Sequence, residues 1–311
     1  MQPKISVTIG KLKLKNPVMV ASGTFGWLEE LDGLMDSKKL GAIVTKTITL
    51  KPRPGNPSPR TCETPAGMLN SIGLENPGLE VFIDEKLPAL VKIGIPIIVS
   101  IASEQDTEEF IALTKRLDKI NAVSAIELNI SCPNIKNSKL QTPNSKLIAQ
   151  DPKTTYNLIR QVRKITKKTL ITKLSPNVTD ITEIAKAAEA AGSDAVSLIN
   201  TFTAMSIDIE ARRPKIATIT AGLSGPAIRP VAVRMVWEVY QKIKIPIIGM
   251  GGIIDMPSAL EFFIAGATCV AVGTANFINP KISIEIVEGL KKYLLKNKIK
   301  NIQTLIGSLK I

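Results

Sequence analysis

Residues 246–274 read PIIGMGGIIDMPSALEFFIAGATCVAVGT, and this stretch contains one full repeat of the architecture. Pro246–Met250 and Cys269–Gly273 are short apolar, β-branched runs. Pro257–Ala265 between them carries a helical pattern with proline at its first turn. Continuous apolar strands joined by a helix belong to a parallel sheet covered on both faces. Each strand runs into a glycine loop, Gly251-Gly252 after the first and Gly273-Thr274 after the second. Backbone without side chains lets N–H groups approach an anion, and the loops after the last two strands of a (β/α)8 barrel are common phosphate sites.

The same unit recurs upstream. Strands are expected at Val18–Gly23, Ala42–Thr47, Pro96–Ile101, Ala125–Ser131, Leu170–Ser175 and Ala195–Asn200. Helical patterns occupy Asp106–Lys119, Pro152–Thr166, Asp180–Ala191, Pro230–Lys242 and Ile282–Lys296. Eight strand–helix units fit a closed barrel better than an open doubly wound sheet. The expected fold is α/β, a single (β/α)8 TIM barrel spanning residues 1–311, since no linker or composition shift divides the chain. Ile5–Lys15 alternates about Gly10 and reads as an N-terminal β-hairpin plugging the barrel floor. Leu50–Pro77 and Asn134–Gln150 read as long loops; both follow barrel strands, which puts them on the C-terminal face where such folds keep their active sites.

Composition narrows the chemistry. The chain is 44% hydrophobic and only 22% charged, which excludes wholesale disorder. Its formal charge of +13 raises the question of a polyanionic partner. The lysines are dispersed, however, with no basic run and few aromatics for base stacking, so a solvated lysine-rich surface accounts for them without nucleic acid. The N-terminus is polar and no segment has the length and apolarity of a membrane span, so a cytoplasmic protein is expected. Histidine is absent, which leaves Cys, Lys, Asp, Glu and Tyr as candidate general bases. The three cysteines, Cys62, Cys132 and Cys269, are too dispersed for a disulfide framework or a metal site.

Polar residues gather at the ends of the apolar strands: Ser22, Lys46-Thr47, Asn129, Ser131-Cys132-Pro133-Asn134, Lys173 and Asn200-Thr201. Gly225 adds an amide near the sixth strand. Residues of this kind at a barrel mouth build a site. Lys46 and Lys173 sit within apolar strand ends, where an unpartnered cation is costly, so an anion is expected between them; a lysine reaching solvent from the rim is the plainer reading of either one alone. A reduced flavin is such an anion. Cys132 is a candidate base, because a thiol titrates within reach of neutral pH. Cys269 opens an apolar strand and reads as a small core residue.

NISCPN (129–134), with ASGTFG (21–26), TKTIT (45–49), NSIGLENPG (70–78), ITKLSP, LINT, GLSGPAI, GMGGI and VGTA in order along the chain, resembles the class 1 dihydroorotate dehydrogenases. ASGTFG and the Asn-Pro-Gly of ENPG look most like class 1B, the catalytic subunit that works with an electron-transfer partner. The fumarate-dependent class 1A homodimer is the alternative. Class 2 enzymes differ in carrying serine at the base position and an N-terminal extension.

The resemblance implies that Cys132 takes a proton from C5 of dihydroorotate while C6 gives hydride to FMN. It implies FMN contacts from Ser22, Lys46, Thr47, Ser100, Asn129, Lys173, Ile199, Gly225, Gly251, Gly252, Gly273 and Thr274. Substrate would meet Lys46, the loop Asn70, Ser71, Ile72, Gly73, Leu74, and Asn129, Asn134, Asn200 and Thr201. It implies a homodimer, assembled into a heterotetramer with a subunit carrying FAD and a [2Fe–2S] cluster that reduces NAD+. This chain's dispersed cysteines cannot bind that cluster.

Two departures stand out. Ser100 occupies a position where the family offers asparagine to the flavin, and the loop 135–150 is longer and lacks the family's glycines. The tRNA dihydrouridine synthases are also FMN barrels with Cys-Pro near the fourth strand, but they carry a helical RNA-binding domain after the barrel. Only a helix and a short tail follow the eighth unit here.

Overall fold

A computed structural model describes residues 2–27, 33–103, 107–131 and 148–311. The chain begins with a hairpin, β1 (Val7–Ile9) and β2 (Leu12–Leu14), then enters the barrel through β3 (Val18–Val20) and β4 (Ala42–Val44). It leaves for β5 (Thr61–Thr64) and β6 (Gly67–Asn70), and returns for β7 (Ile97–Ile101), β8 (Val123–Asn129), β9 (Thr169–Lys173) and β10 (Ala195–Leu198). A second excursion forms β11 (Phe202–Ala204), β12 (Ile207–Asp208), β13 (Arg213–Pro214) and β14 (Ala221–Ser224), before β15 (Ile247–Gly249) and β16 (Cys269–Val272). The eight parallel strands β3, β4, β7, β8, β9, β10, β15 and β16 close into a barrel, sealed where Val270 of β16 pairs with Val18 of β3. Each expected strand is present; all but β7 end one to three residues earlier than expected, and β8 and β9 begin two and one residues before their expected starts.

These strands are buried almost throughout because one face fills the barrel and the other packs beneath helices. Phe262 and Phe263 on the helix Met256–Ala265 are fully buried. Helix starts follow the sequence. Asp151, Asp180 and Asp255 accept from the backbone N–H of Thr154, Thr182 and Ser258, which satisfies amides the helix itself leaves without partners. The Thr182 hydrogen bonds hold the Asp180 carboxyl below the usual carboxylate range. The hairpin lies on the floor: the Lys11 N–H donates to Thr169 Oγ1, at the first residue of β9, at 3.1 Å. No helix of the described residues is long and apolar enough to cross a membrane.

The segment 50–77 departs from the expectation of a loop. It contains the β5–β6 hairpin, which joins β14 and β11 in a four-stranded antiparallel sheet. That sheet stands over the C-terminal mouth of the barrel and walls the site from above.

Candidate active site

A cavity of about 350 Å³ opens at the C-terminal ends of the barrel strands, within the size range of small-molecule sites. Of the residues expected to bind cofactor, Ser22, Lys46, Thr47, Asn129, Lys173, Ile199, Gly225, Gly251, Gly252, Gly273 and Thr274 line it. Of those expected to meet substrate, Asn70, Ile72, Gly73, Leu74, Asn200 and Thr201 line it as well. Cys132 and Asn134 lie outside the described residues, as does the loop 135–147.

Two expected residues are not on the wall. Ser100 is fully buried, and its hydroxyl faces Thr47 Oγ1 at 2.9 Å and Glu127 Oε1 at 3.0 Å. Its side chain is too short to pass Thr47 and reach the cavity. Ser71 is turned the other way, with its hydroxyl bonded to Asn56 Nδ2 at 2.9 Å and Thr218 Oγ1 at 2.7 Å. It fixes the loop that carries Ile72–Leu74 and leaves the ligand side to its neighbours.

The loop 70–78 is held by Asn76, 5% exposed and bonded on every side. Its Oδ1 accepts from the N–H of Thr49 and Gly78, and its Nδ2 donates to Thr49 Oγ1 and the Leu74 carbonyl. This locks the loop to the segment after β4. Gly252 is required by the backbone: its φ is +73°, and a Cβ there would sit 2.7 Å from Arg229 Cβ.

Hydrogen bonds knit the polar strand ends together. Asn129 Nδ2 donates to Thr47 Oγ1 at 3.1 Å, and Asn129 Oδ1 accepts from Ser131 Oγ at 3.2 Å. Ser22 Oγ lies 2.7 Å from Thr47 Oγ1. At the far side, Thr274 Oγ1 donates to Ser224 Oγ at 2.8 Å, tying the last strand loop to the upper sheet.

Three features fit an anionic, phosphate-bearing cofactor such as FMN. Lys173 is 5% exposed, Lys46 is half-buried, and neither has a carboxylate partner among the described residues; Glu75, also on the wall, pairs with Arg60 at 2.7 Å. The backbone N–H groups of Gly251, Gly252, Gly273 and Thr274 donate to no protein acceptor among the described residues. Gly273 also has no conformational need to be glycine: among the described residues, the nearest atoms to an added Cβ are 3.8 Å away. The space a side chain would fill there is left for a ligand.

Among the remaining cysteines, Cys269 is fully buried, and burial pushes its thiol far above the ordinary range. That agrees with a core role. Cys62 is half-buried in β5. Sequence reasoning missed Glu127, a carboxylate inside the barrel bonded to Ser100 and to Ser197 Oγ at 2.9 Å. The available signal was a lone acidic residue in the apolar run AIELNI.

The family model for dihydroorotate dehydrogenase matches residues 4–294. Similar proteins include one from Geotalea uraniireducens, 50% identical over 308 residues, and one from Trichlorobacter lovleyi, 52% identical over 309 residues. Another, from Thermoanaerobacter pseudethanolicus, is 51% identical over 307 residues. Each alignment covers 99% of both chains, and each of these relatives is named dihydroorotate dehydrogenase B (NAD(+)), catalytic subunit.

Proposed function

Because the chain belongs to the dihydroorotate dehydrogenase family, we propose that it oxidises dihydroorotate to orotate in pyrimidine biosynthesis, as one FMN-binding domain in the cytoplasm. The observation that carries this reading is the pair Lys46 and Lys173, with no carboxylate partner among the described residues, on the same cavity as four backbone amides that donate to no acceptor among those residues. Gly251, Gly252, Gly273 and Thr274 would hold the phosphate, with Gly225 beside them. Lys46, Lys173, Ser22, Thr47, Asn129 and Ile199 would surround the ring system. When bound, FMN supplies the hydride acceptor.

The chain's own residues do the rest. Cys132 takes the proton from C5 of the substrate as a general base. Its neighbour Ser131 is fully buried and hydrogen-bonded to Asn129 and Asn200, which anchors the backbone on which the thiol is carried. Dihydroorotate is a cyclic urea with a carboxylate, so it calls for amides that both donate and accept, plus one cation. Asn70, Asn129, Asn134, Asn200 and Lys46 provide that set. The loop Ile72–Leu74 and Thr201 close round it.

The relatives' name, catalytic subunit, supports a separate electron-transfer partner. In our reading that partner carries FAD and a [2Fe–2S] cluster, passes electrons to NAD+, and joins a homodimer of this chain in a heterotetramer. Anaerobic addition of dihydroorotate to the purified yellow protein tests the central claim: the flavin absorbance bleaches. A protein without flavin, or one whose flavin stays oxidised, overturns it. Co-purification from the source tests the partner; a lone homodimer reducing fumarate would remove it.

A further inference from the structure

Glu127 is 1% exposed and lies on the same face of β8 as Asn129, one layer deeper in the barrel and off the cavity wall. Its Oε1 accepts from Ser100 on β7 at 3.0 Å, and its Oε2 accepts from Ser197 on β10 at 2.9 Å. Among the described residues no Lys or Arg is paired with it. Ser100 and Ser197 are the donors in these two bonds, so each directs its single hydroxyl proton at Glu127.

That constraint runs outward. With its own proton on Glu127, Ser100 can only accept from Thr47, 2.9 Å away. Thr47 then has no second proton, so it accepts from Ser22 at 2.7 Å and from Asn129 Nδ2 at 3.1 Å. The proton of Ser22 is thereby committed to Thr47, and the amide of Asn129 is fixed with nitrogen toward Thr47 and oxygen toward Ser131.

We propose that Glu127 is a positioning residue that sets the donor and acceptor polarity of the cavity wall through Ser100, Thr47 and Ser22. Ser22 faces the cavity as an acceptor only, so the ligand group that meets it is an N–H or O–H donor. A flavin carries donors of this kind in its ring N3–H and its ribityl hydroxyls. The choice of probe rests on the FMN reading above; the hydroxyl chain itself rests on the distances.

The two serines give a matched control. Ser100→Ala and Ser197→Ala each remove one buried hydrogen bond to Glu127, but only Ser100 belongs to the chain that reaches the wall. In Ser100→Ala, Thr47 turns its proton to Ser22, and the Ser22 hydroxyl is released toward the ligand as a donor. FMN is stripped from the parent and both variants, and rebinding is followed by quenching of FMN fluorescence, with melting temperature measured alongside. The expected result is an FMN Kd raised about tenfold in Ser100→Ala and changed less than about twofold in Ser197→Ala, with similar losses in melting temperature. If Ser100→Ala does not fold, Ser100→Cys, with its weaker donor, is read in its place. Equal shifts in both variants, or none in either, overturn the relay while leaving the FMN reading intact. A parent protein that takes up no FMN overturns both.

Discussion

The side-chain amide of Asn200 donates to the hydroxyl of Ser131 at 2.9 Å, joining the end of β10 to the end of β8 across one corner of the cavity. Ser131 immediately precedes Cys132 in the chain. The same amide lies 3.4 Å from Asn129 Oδ1, and Asn200 Oδ1 accepts from the Thr201 N–H at 2.8 Å. Asn200 therefore both lines the site and braces the strand end that leads into the proposed base.

Replacing Asn200 by alanine removes this brace together with an amide for the substrate. A net hydrogen bond is worth about 1 kcal/mol, and a buried group left unsatisfied costs about 1–3 kcal/mol. The flavin-side contacts from Thr47, Lys173 and the glycine loops are untouched. Asn200→Ala is therefore expected to retain its FMN while dihydroorotate bleaches it at least about tenfold more slowly. Stopped-flow absorbance under anaerobic conditions reads the rate; bleaching at the parent rate would show that the brace does not matter.

Cys132→Ala tests the base itself. Loss of a general base lowers a rate by about 10²–10⁴. The variant is expected to stay yellow, to bind orotate, and to bleach slower by that range. Unchanged bleaching would take Cys132 out of the reaction.

Lys173 offers a test that separates stability from binding. A nearly buried ammonium with no carboxylate partner among the described residues burdens the flavin-free protein, because an unpaired charge is costly to bury. Lys173→Met keeps the stem's volume and removes the charge. In the flavin-free protein its melting temperature is expected to equal or exceed the parent's, while FMN affinity falls by about tenfold or more. Calorimetry of the stripped protein and fluorescence titration check the two halves. A variant that melts lower yet binds FMN normally would mean that Lys173 serves the fold alone.

The barrel was legible because its signal is local. Runs such as Ile97–Ile101 and Thr169–Lys173 are apolar or β-branched at every position but one, Ser100 in the first and Lys173 in the second, and turn residues bound them on either side. The β5–β6 hairpin was not legible, since Thr61–Thr64 is polar and exposed at alternate positions, Gly67–Asn70 buries only Leu69, and β6 finds its partner β14 about 150 residues away. Strands of that kind exist through long-range pairing more than through their own pattern. The site residues were readable from their places at strand ends. Ser71 and Ser100 show the limit of that reading: chain position puts a residue near a site, but the direction of its hydroxyl depends on Thr218 in one case and Glu127 in the other.

Two glycines on the same wall should separate cleanly under substitution. Gly252 has a φ of +73°, and an added Cβ would lie 2.7 Å from Arg229 Cβ and 2.9 Å from the Gly225 carbonyl oxygen. Alanine there meets both the left-handed penalty of about 1–2 kcal/mol and a clash with backbone. Gly273 has an ordinary φ, and the nearest atoms of the described residues outside its chain neighbours lie 3.8 Å from the same added methyl. Gly273→Ala should therefore melt with the parent when stripped of flavin, yet bind FMN more weakly by about tenfold, because the methyl occupies ligand space. Gly252→Ala should lose several degrees of melting temperature even without flavin. Melting curves of the stripped proteins, paired with FMN titrations, decide the matter: if Gly273→Ala binds FMN as the parent does, the space beside that residue is not where the cofactor lies.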